Sequence, residues 1–409
     1  MTQLKTQKSA IPRPIHPFPA RMAASIPWNE LRRGTAPLRV LDPMAGSGTT
    51  LVVARSLGHA PIGFDTDPLA VLLARTWCAD LTEASTVRLA ERVCESAKRR
   101  ASKLSLRDAY PSGADEETKA FVRYWFDPTN RRQLAALADT ISEVPYKAPR
   151  DVLWCAFSRM IITKQAGASL ALDVAHSRPH KVLDKNVIRP VDHFLRAVRI
   201  VMAAAPFRAD AETNAPRAVV KMADARKLPL APETIDIVIS SPPYLNAIDY
   251  LRGHKFSLVW MGHSVRALRD VRAENIGTEV SADIKIEDKK IAAAMERMGD
   301  LKNLPLRQRR CLGRYVADMD RTIAEIHRVL VPGGRAVLVV GDCTMRGVYV
   351  RNSGALAYLG EQHGFQVGKM RRRKLPPNRR YLPPPSSAGS GAALQNRMRT
   401  EVLLDLAKA

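Results

Sequence analysis

The feature that most constrains the fold is the run from Leu38 to Leu73, "LRVLDPMAGSGTTLVVARSLGHAPIGFDTDPLAVLL". "LRVLD" (38–42) reads as a buried strand and "PMAGSGTT" as a glycine-rich turn. "LVVARSLG" follows as an apolar helix ending near Gly58, and "APIGFD" (60–65) as a second strand. "TDPLAVLLARTWCADL" is then a helix with Pro68 in its first turn, where proline is tolerated. Strand, helix, strand, helix predicts a parallel α/β sheet.

The turn itself is chemically suggestive. Gly46 and Gly48 let the backbone approach a ligand and adopt positive φ. The helix that follows offers free N–H groups at its start. A nucleotide-like or amino-acid-like ligand at the carboxyl end of the sheet suits that geometry. No Gly-Lys-Ser/Thr follows, so the turn is not a P-loop, and it departs from the Gly-x-Gly-x-x-Gly dinucleotide fingerprint. Asp65 ends the second strand 23 positions after Asp42. That is near the roughly 20-residue spacing at which an acid meets ribose hydroxyls. Asp67, directly before Pro68, is the better helix cap, so Asp65 is assigned to ribose and Asp67 to capping. Asp224 in "KMADARKLP" follows a third strand. It either receives an adenine amino group or is a solvated turn aspartate.

Between about residues 78 and 215 strand signal fades and helical signal dominates, as in "TVRLAERVCESAKRRASKL" and "RDVLWCAFSRMIIT". This predicts a large helical insertion, with a loop at 163–182. The α/β pattern resumes at 215–228 and 234–244, and a polar helical stretch occupies about 262–310. "YVADMDRTIAEIHRVL" is an amphipathic helix that "PGG" turns into the strand "RAVLVVGD", and "RTEVLLDL" is a closing strand. The expected division is 1–77 and 216–261 for the first parts of the α/β domain, 78–215 and 262–310 for the insertions, and 311–409 for its remainder.

The strand "TIDIVIS" ends on Ser241, Pro242, Pro243 and Tyr244. Such prolines are either punctuation with a packed tyrosine behind them, or a rigid shelf for chemistry, because proline fixes φ.

Charge narrows the partner. Lys plus Arg is 64 against 40 acids, a net +24, which favours a polyanion such as nucleic acid. Five scattered cysteines include no Cys-x-x-Cys pair, which argues against a zinc site or a disulfide framework. No apolar run is long enough to span a bilayer, and "MTQLKTQKSAIPRPIHPFPARM" has no apolar core of a secretory signal, so a cytoplasmic location is expected.

With "DPMAGSGTT", "GFDTD", "MADAR" and "SSPPY" in this order, the sequence resembles the S-adenosylmethionine-dependent amino-methyltransferases of DNA. Their glycine motif, Asp-Pro-Phe-x-Gly-Ser-Gly-Thr, is matched with Met44 replacing the aromatic, and their Asp/Asn/Ser-Pro-Pro-aromatic motif by residues 241–244. "HPFPARM" (16–22) resembles the family's segment near the methionine end of the cofactor, and "VLVPGGRAVLVV" its later helix–strand corner. The resemblance covers roughly 12–77 and 215–409 and leaves the helical insertion unmatched. It implies a Rossmann-like class I methyltransferase fold, a mostly parallel seven-stranded sheet carrying that insertion. It further implies S-adenosylmethionine held by His16, Pro17, Asp42, Pro43, Ala45, Gly46, Ser47, Gly48, Thr49, Asp65 and Asp224. Ser-Pro-Pro-Tyr looks most like the branch that methylates the N4 amine of cytosine in double-stranded DNA, alongside a cognate restriction endonuclease in a restriction–modification setting.

The chemistry agrees with the residue types. An aromatic amine is a poor nucleophile because its lone pair is delocalised. Ser241 Oγ and the Pro242 carbonyl are the expected acceptors that make the nitrogen more tetrahedral and align it. Tyr244 is the expected stacking surface for a flipped base. The absence of a Pro-Cys dipeptide excludes the covalent route of 5-carbon methylation. N6-adenine methylation of DNA, amine methylation of RNA, and a non-enzymatic binding protein on the same fold are the competing readings. Expected phosphate anchors are Arg371, Arg372, Arg373, Lys374, Arg379 and Arg380, with Arg307, Arg309 and Arg310. Segments 163–169 and 177–181, and Arg252, His254 and Lys255, are further candidates. Target recognition is assigned to the helical insertion and 262–310.

Overall fold

In the computed structural model, residues 12–409 are described except 20, 35, 164–165, 177–178, 185, 210–215, 246–248, 278–287 and 376–399. The candidate anchors Arg379 and Arg380, and parts of the 163–169, 177–181 and 262–310 segments, lie outside the described residues.

The chain begins with helix α1 (Ser25–Leu31) and strand β1 (Arg39–Asp42), then α2 (Thr49–Ser56), β2 (Ala60–Asp65) and α3 (Pro68–Trp77). Asp67 caps α3, its Oδ1 accepting from Leu69 N at 2.8 Å, and Pro68 occupies the first turn. Helices α4 (Glu83–Lys103), α5 (Glu116–Trp125), α6 (Pro128–Ser142) and α7 (Lys147–Ile161) follow. Asp115 and Asp127 cap α5 and α6 through their side chains. The segment expected as a loop contains a short antiparallel pair, β3 (Ala171–Leu172) and β4 (His180–Lys181), before α8 (Pro190–Ala204).

The sheet resumes with β5 (Val219–Met222) and β6 (Ile235–Ser240). Next come α9 (Tyr250–Leu258), α10 (Val265–Glu274), α11 (Lys289–Glu296) and α12 (Leu306–Val329). Strand β7 (Leu330–Val340) leads into a hairpin, β8 (Cys343–Met345) and β9 (Val348–Val350), then α13 (Asn352–Gln362). The chain closes with β10 (Phe365–Val367), β11 (Arg371–Lys374) and β12 (Thr400–Lys408).

The main sheet runs β10-β12-β7-β6-β1-β2-β5. Strands β5, β2, β1, β6 and β7 are parallel, and β12 inserts antiparallel beside β7. The fold is therefore Rossmann-like, with seven strands on the main path. An eighth strand, β11, follows β10 along the outer edge of β12 and was not anticipated from the sequence.

Central strands are apolar toward both faces, as buried parallel strands must be. Val40, Ile237, Ile239, Val337 and Val339 meet Ile26 and Leu31 of α1 on one face. Leu41, Val238, Leu338 and Val340 pack under α12 and α13 on the other. Helices of the insertion share a third cluster with α2 and α3, in which Leu51, Leu73, Leu153 and Phe157 are buried together. The insertion is thus fused to the glycine-turn side of the sheet by a common apolar core.

Candidate active site

Strand order reverses at β1, whose neighbours are β2 and β6, and ligands of open α/β sheets bind outside the carboxyl ends of the strands at such a point. Asp42 ends β1 and Ser240 ends β6. Ser240 Oγ donates to Asp42 Oδ1 at 2.7 Å, and both residues are buried. The glycine turn and Ser-Pro-Pro-Tyr therefore start from two side chains that are bonded to each other.

The turn is tight. Ala45 N donates to the Phe64 carbonyl and Gly48 N to the Ala45 carbonyl, each at 2.8 Å. Gly46 and Gly48 have φ of 51° and 90°, the left-handed region that favours glycine. A Cβ on Gly48 would stand 2.8 Å from Ala74 Cα, so glycine also lets α2 approach α3. Pro43, Ala45, Ser47 and Thr49 are buried, and Met44 and Gly46 half-buried. Burial pushes the Asp42 carboxyl up to about 6, against the opposing bonds from Ser240 and Met44 N. Asp42 thus faces inward and braces the turn.

Asp65 joins the turn to β2. Its Oδ2 accepts from Gly46 N at 2.8 Å and its Oδ1 from Asp67 N at 2.9 Å. Burial and the nearby charge of Asp67 push its carboxyl up to about 7. Each oxygen keeps a second lone pair for a hydroxyl donor.

Asp67 does more than cap. Its Oδ2 pairs with Nδ1 of His254 on α9, in a contact between buried side chains. Burial opposes ionisation here, but the charge and hydrogen bond of His254 outweigh it and hold the Asp67 carboxyl below its usual range. The expectation that His254 lies near a bound strand is corrected, because the residue is 0 % exposed. The His254 ring packs 4.9 Å from that of Phe18. Phe18 in turn lies over Gly46, with 3.6 Å separating Phe18 Cε1 from the position of a Cβ there.

His16 is buried, its Nε2 3.0 Å from Ser158 Oγ of α7, while Pro17 is half-buried. Burial, with Arg159 close by, lowers the His16 imidazole well below its ordinary range. Three polar atoms in this neighbourhood, His16 Nδ1, Ser47 Oγ and His254 Nε2, are buried without a partner among the described residues. Buried polar atoms in native proteins are normally satisfied, so unfilled capacity beside the turn fits a polar ligand. Among the described residues no group of three or more His, Cys, Asp or Glu is arranged to hold a metal ion.

In the second motif Pro242 is buried, and Ser241, Pro243 and Tyr244 are half-buried. Ser241 Oγ donates to the Val339 carbonyl of β7 at 3.2 Å. With its proton committed there, the hydroxyl oxygen offers its lone pairs as an acceptor. Tyr244 Oη reaches Glu401 Oε2 of β12 at 3.3 Å.

Among the described residues no bond turns Asp224 toward the glycine turn. Its two oxygens accept from Arg226, whose guanidinium also meets Asp318. The basic run of β11 divides by strand alternation. Arg371 pairs with Glu30 and Asp405, and Arg373 with Glu401, whereas Arg372 and Lys374 are exposed without ion pairs among the described residues. Arg252 is exposed beside Asp249, and Lys255 is half-buried with its ammonium 5.2 Å from the Phe121 ring centroid.

Ser240, Phe18 and Glu401 were not singled out from sequence. An aromatic inside "HPFPARM" was the available signal for Phe18. Glu401 carried none, because β12 reads locally as an ordinary closing strand.

No family model matches the chain, and no curated protein matches it. Solved structures do. The YcgJ protein of Bacillus subtilis is 9% identical over 94% of this chain and 97% of its own, with a TM-score of 0.35. A proposed DNA modification methylase of Thermus thermophilus is 26% identical over 23% of this chain and 36% of its own, with a TM-score of 0.17. The rRNA methyltransferase aviRa of Streptomyces viridochromogenes is 11% identical over 95% of this chain and 86% of its own, with a TM-score of 0.29. At these TM-scores the likeness carries no functional argument, and the reading rests on the chain's own residues.

Proposed function

We propose that this chain is an S-adenosylmethionine-dependent methyltransferase that modifies the exocyclic N4 amine of cytosine in double-stranded DNA. The observation that carries the reading is the Ser240–Asp42 bond, which ties a glycine turn suited to a cofactor to a Ser-Pro-Pro-Tyr loop suited to an amine. When bound, the cofactor supplies an electrophilic methyl group on sulfur. Gly46 admits close approach of the ligand, Asp65 receives ribose hydroxyls, and His16 with Pro17 borders the amino-acid end. Pro43, Ala45, Ser47, Gly48 and Thr49 shape the same turn. Asp224 serves adenine recognition only if Arg226 releases it.

Ser241 Oγ and the Pro242 carbonyl accept the two amine hydrogens, which localises the nitrogen lone pair and aims it. Tyr244 stacks on the flipped base. The net charge of +24 supports a nucleic-acid partner, with Arg372 and Lys374 as phosphate anchors. The helical insertion and 262–310 take the role of target recognition, a restriction endonuclease is the expected companion, and the cytoplasm is the expected location. Among the described residues no helix is long and apolar enough to cross a membrane.

The test is incubation with S-adenosylmethionine and duplex DNA of varied sequence, then nucleoside mass spectrometry. N4-methylcytosine is the expected product. N6-methyladenine would move the reading to adenine, methylation of tRNA in preference to DNA would move it to RNA, and no methylated base in either would overturn it.

A further inference from the structure

Tyr244 is secured from the opposite end of the chain. Its hydroxyl bonds Glu401 Oε2, and Glu401 Oε1 takes the Arg373 guanidinium. Arg373 and Glu401 face each other directly across β11 and β12. The Glu401 side chain is 6% exposed, so its carboxylate depends on these two partners. Arg371, two residues away on the same face, pairs among the described residues with Glu30 and Asp405. Within this ionic row, Glu401 is the member that reaches into the Ser-Pro-Pro-Tyr loop.

We infer that Glu401, held by Arg373, is a positioning residue that sets the orientation of the Tyr244 ring against the target base. The inference rests on the reading of Tyr244 as the stacking surface. A tyrosine ring is placed by two side-chain torsions: a bond at its para oxygen holds the first, and because a phenolic O–H prefers to lie in the ring plane, the direction of the acceptor biases the second. The plane of the ring sets the plane of the stacked base. The base plane in turn sets the line along which its amine approaches the methyl group. Loss of the tether therefore costs alignment more than affinity.

The experiment is a double-mutant cycle on Tyr244→Phe and Glu401→Ala, read by single-turnover methyl transfer to duplex DNA, cofactor binding by calorimetry, and thermal unfolding. Each single variant is expected to slow transfer by about 10-fold, with the double variant no slower than the worse single, because both delete one interaction. Cofactor affinity stays unchanged, and Glu401→Gln, which still accepts from the hydroxyl, recovers most of the rate. Multiplying losses, or a Glu401→Ala defect confined to melting temperature, would overturn the inference. If Glu401→Ala does not fold, Tyr244→Phe decides alone. It keeps the ring and the Arg373–Glu401 pair, and a wild-type rate would overturn the inference. A wild-type protein that transfers no methyl to DNA overturns the functional reading and this inference with it.

Discussion

Ser240 Oγ donates to Asp42 Oδ1 across 198 residues of sequence, joining the last residues of two adjacent parallel strands. The strands come together because their apolar residues must be buried, whereas this bond fixes how their loops leave the sheet. Ser240→Ala removes a partner from a buried carboxylate. We expect a loss of about 1–3 kcal/mol in denaturant unfolding, together with weaker cofactor binding. Wild-type stability and affinity in this variant would show that the loops are set independently.

Asp65 gives a pH signature. Its folded pKa of about 7 lies above its ordinary value, so the folded state holds a proton that the unfolded chain releases. The stability linked to this proton is fully present below about pH 4 and is lost as pH rises toward 7. Ribose hydroxyls donate best to the ionised carboxylate, so cofactor affinity should fall as pH drops through about 7, the folded value. Calorimetry across that range checks it. Asp65→Asn should weaken binding and flatten the profile, and a variant that keeps the wild-type pH profile would remove Asp65 from the cofactor site.

Gly48 has φ of 90° and no room for a Cβ against Ala74. Gly48→Ala combines a left-handed alanine with overpacking, and should cost about 2 kcal/mol or more. Gly58, also at positive φ but with open space around it, is the control for backbone strain without the clash. Chemical denaturation should rank Gly48→Ala well below Gly58→Ala.

The basic strand β11 predicts a division of labour. Arg372→Ala and Lys374→Ala should weaken DNA binding evenly across sequences, each lowering the salt slope by about 1, with the melting temperature kept. Arg371→Ala should lower melting temperature instead, because it takes one of two guanidinium partners from the buried Glu30 and leaves it to Arg335 alone. Fluorescence anisotropy at several salt concentrations, beside thermal unfolding, separates the two classes.

Tyr244→Ala should retain cofactor binding and lose at least about 100-fold in methyl transfer, in line with base stacking worth about 1–3 kcal/mol and the added loss of alignment. Normal turnover would remove Tyr244 from the base site.

The parallel half of the sheet was legible in sequence because its strands are short apolar runs punctuated by Gly46, Gly48 and Pro68, whose backbone requirements are local. The Asp67 cap was legible for the same reason. His254 was not, because its sequence neighbours Arg252 and Lys255 are basic while its own burial depends on Asp67, 187 positions away. Strand β11 was hidden because "RRRK" has no apolar alternation, and only its pairing with β12 makes it a strand. The Arg226 hold on Asp224 is local, but acids and bases two residues apart carry no signature that separates a fork from a solvated turn.

The arm at residues 15–18 lies between two parts of the molecule. Arg159 of α7 donates to the Ile15 carbonyl, His16 meets Ser158 of the same helix, and Phe18 rests against Gly46. The arm is a shared gasket, so the insertion is not an interchangeable cassette. A chimera that transplants helices α4 to α8 from one such protein into another would have to carry its own amino-terminal arm, or lose its seal over the turn.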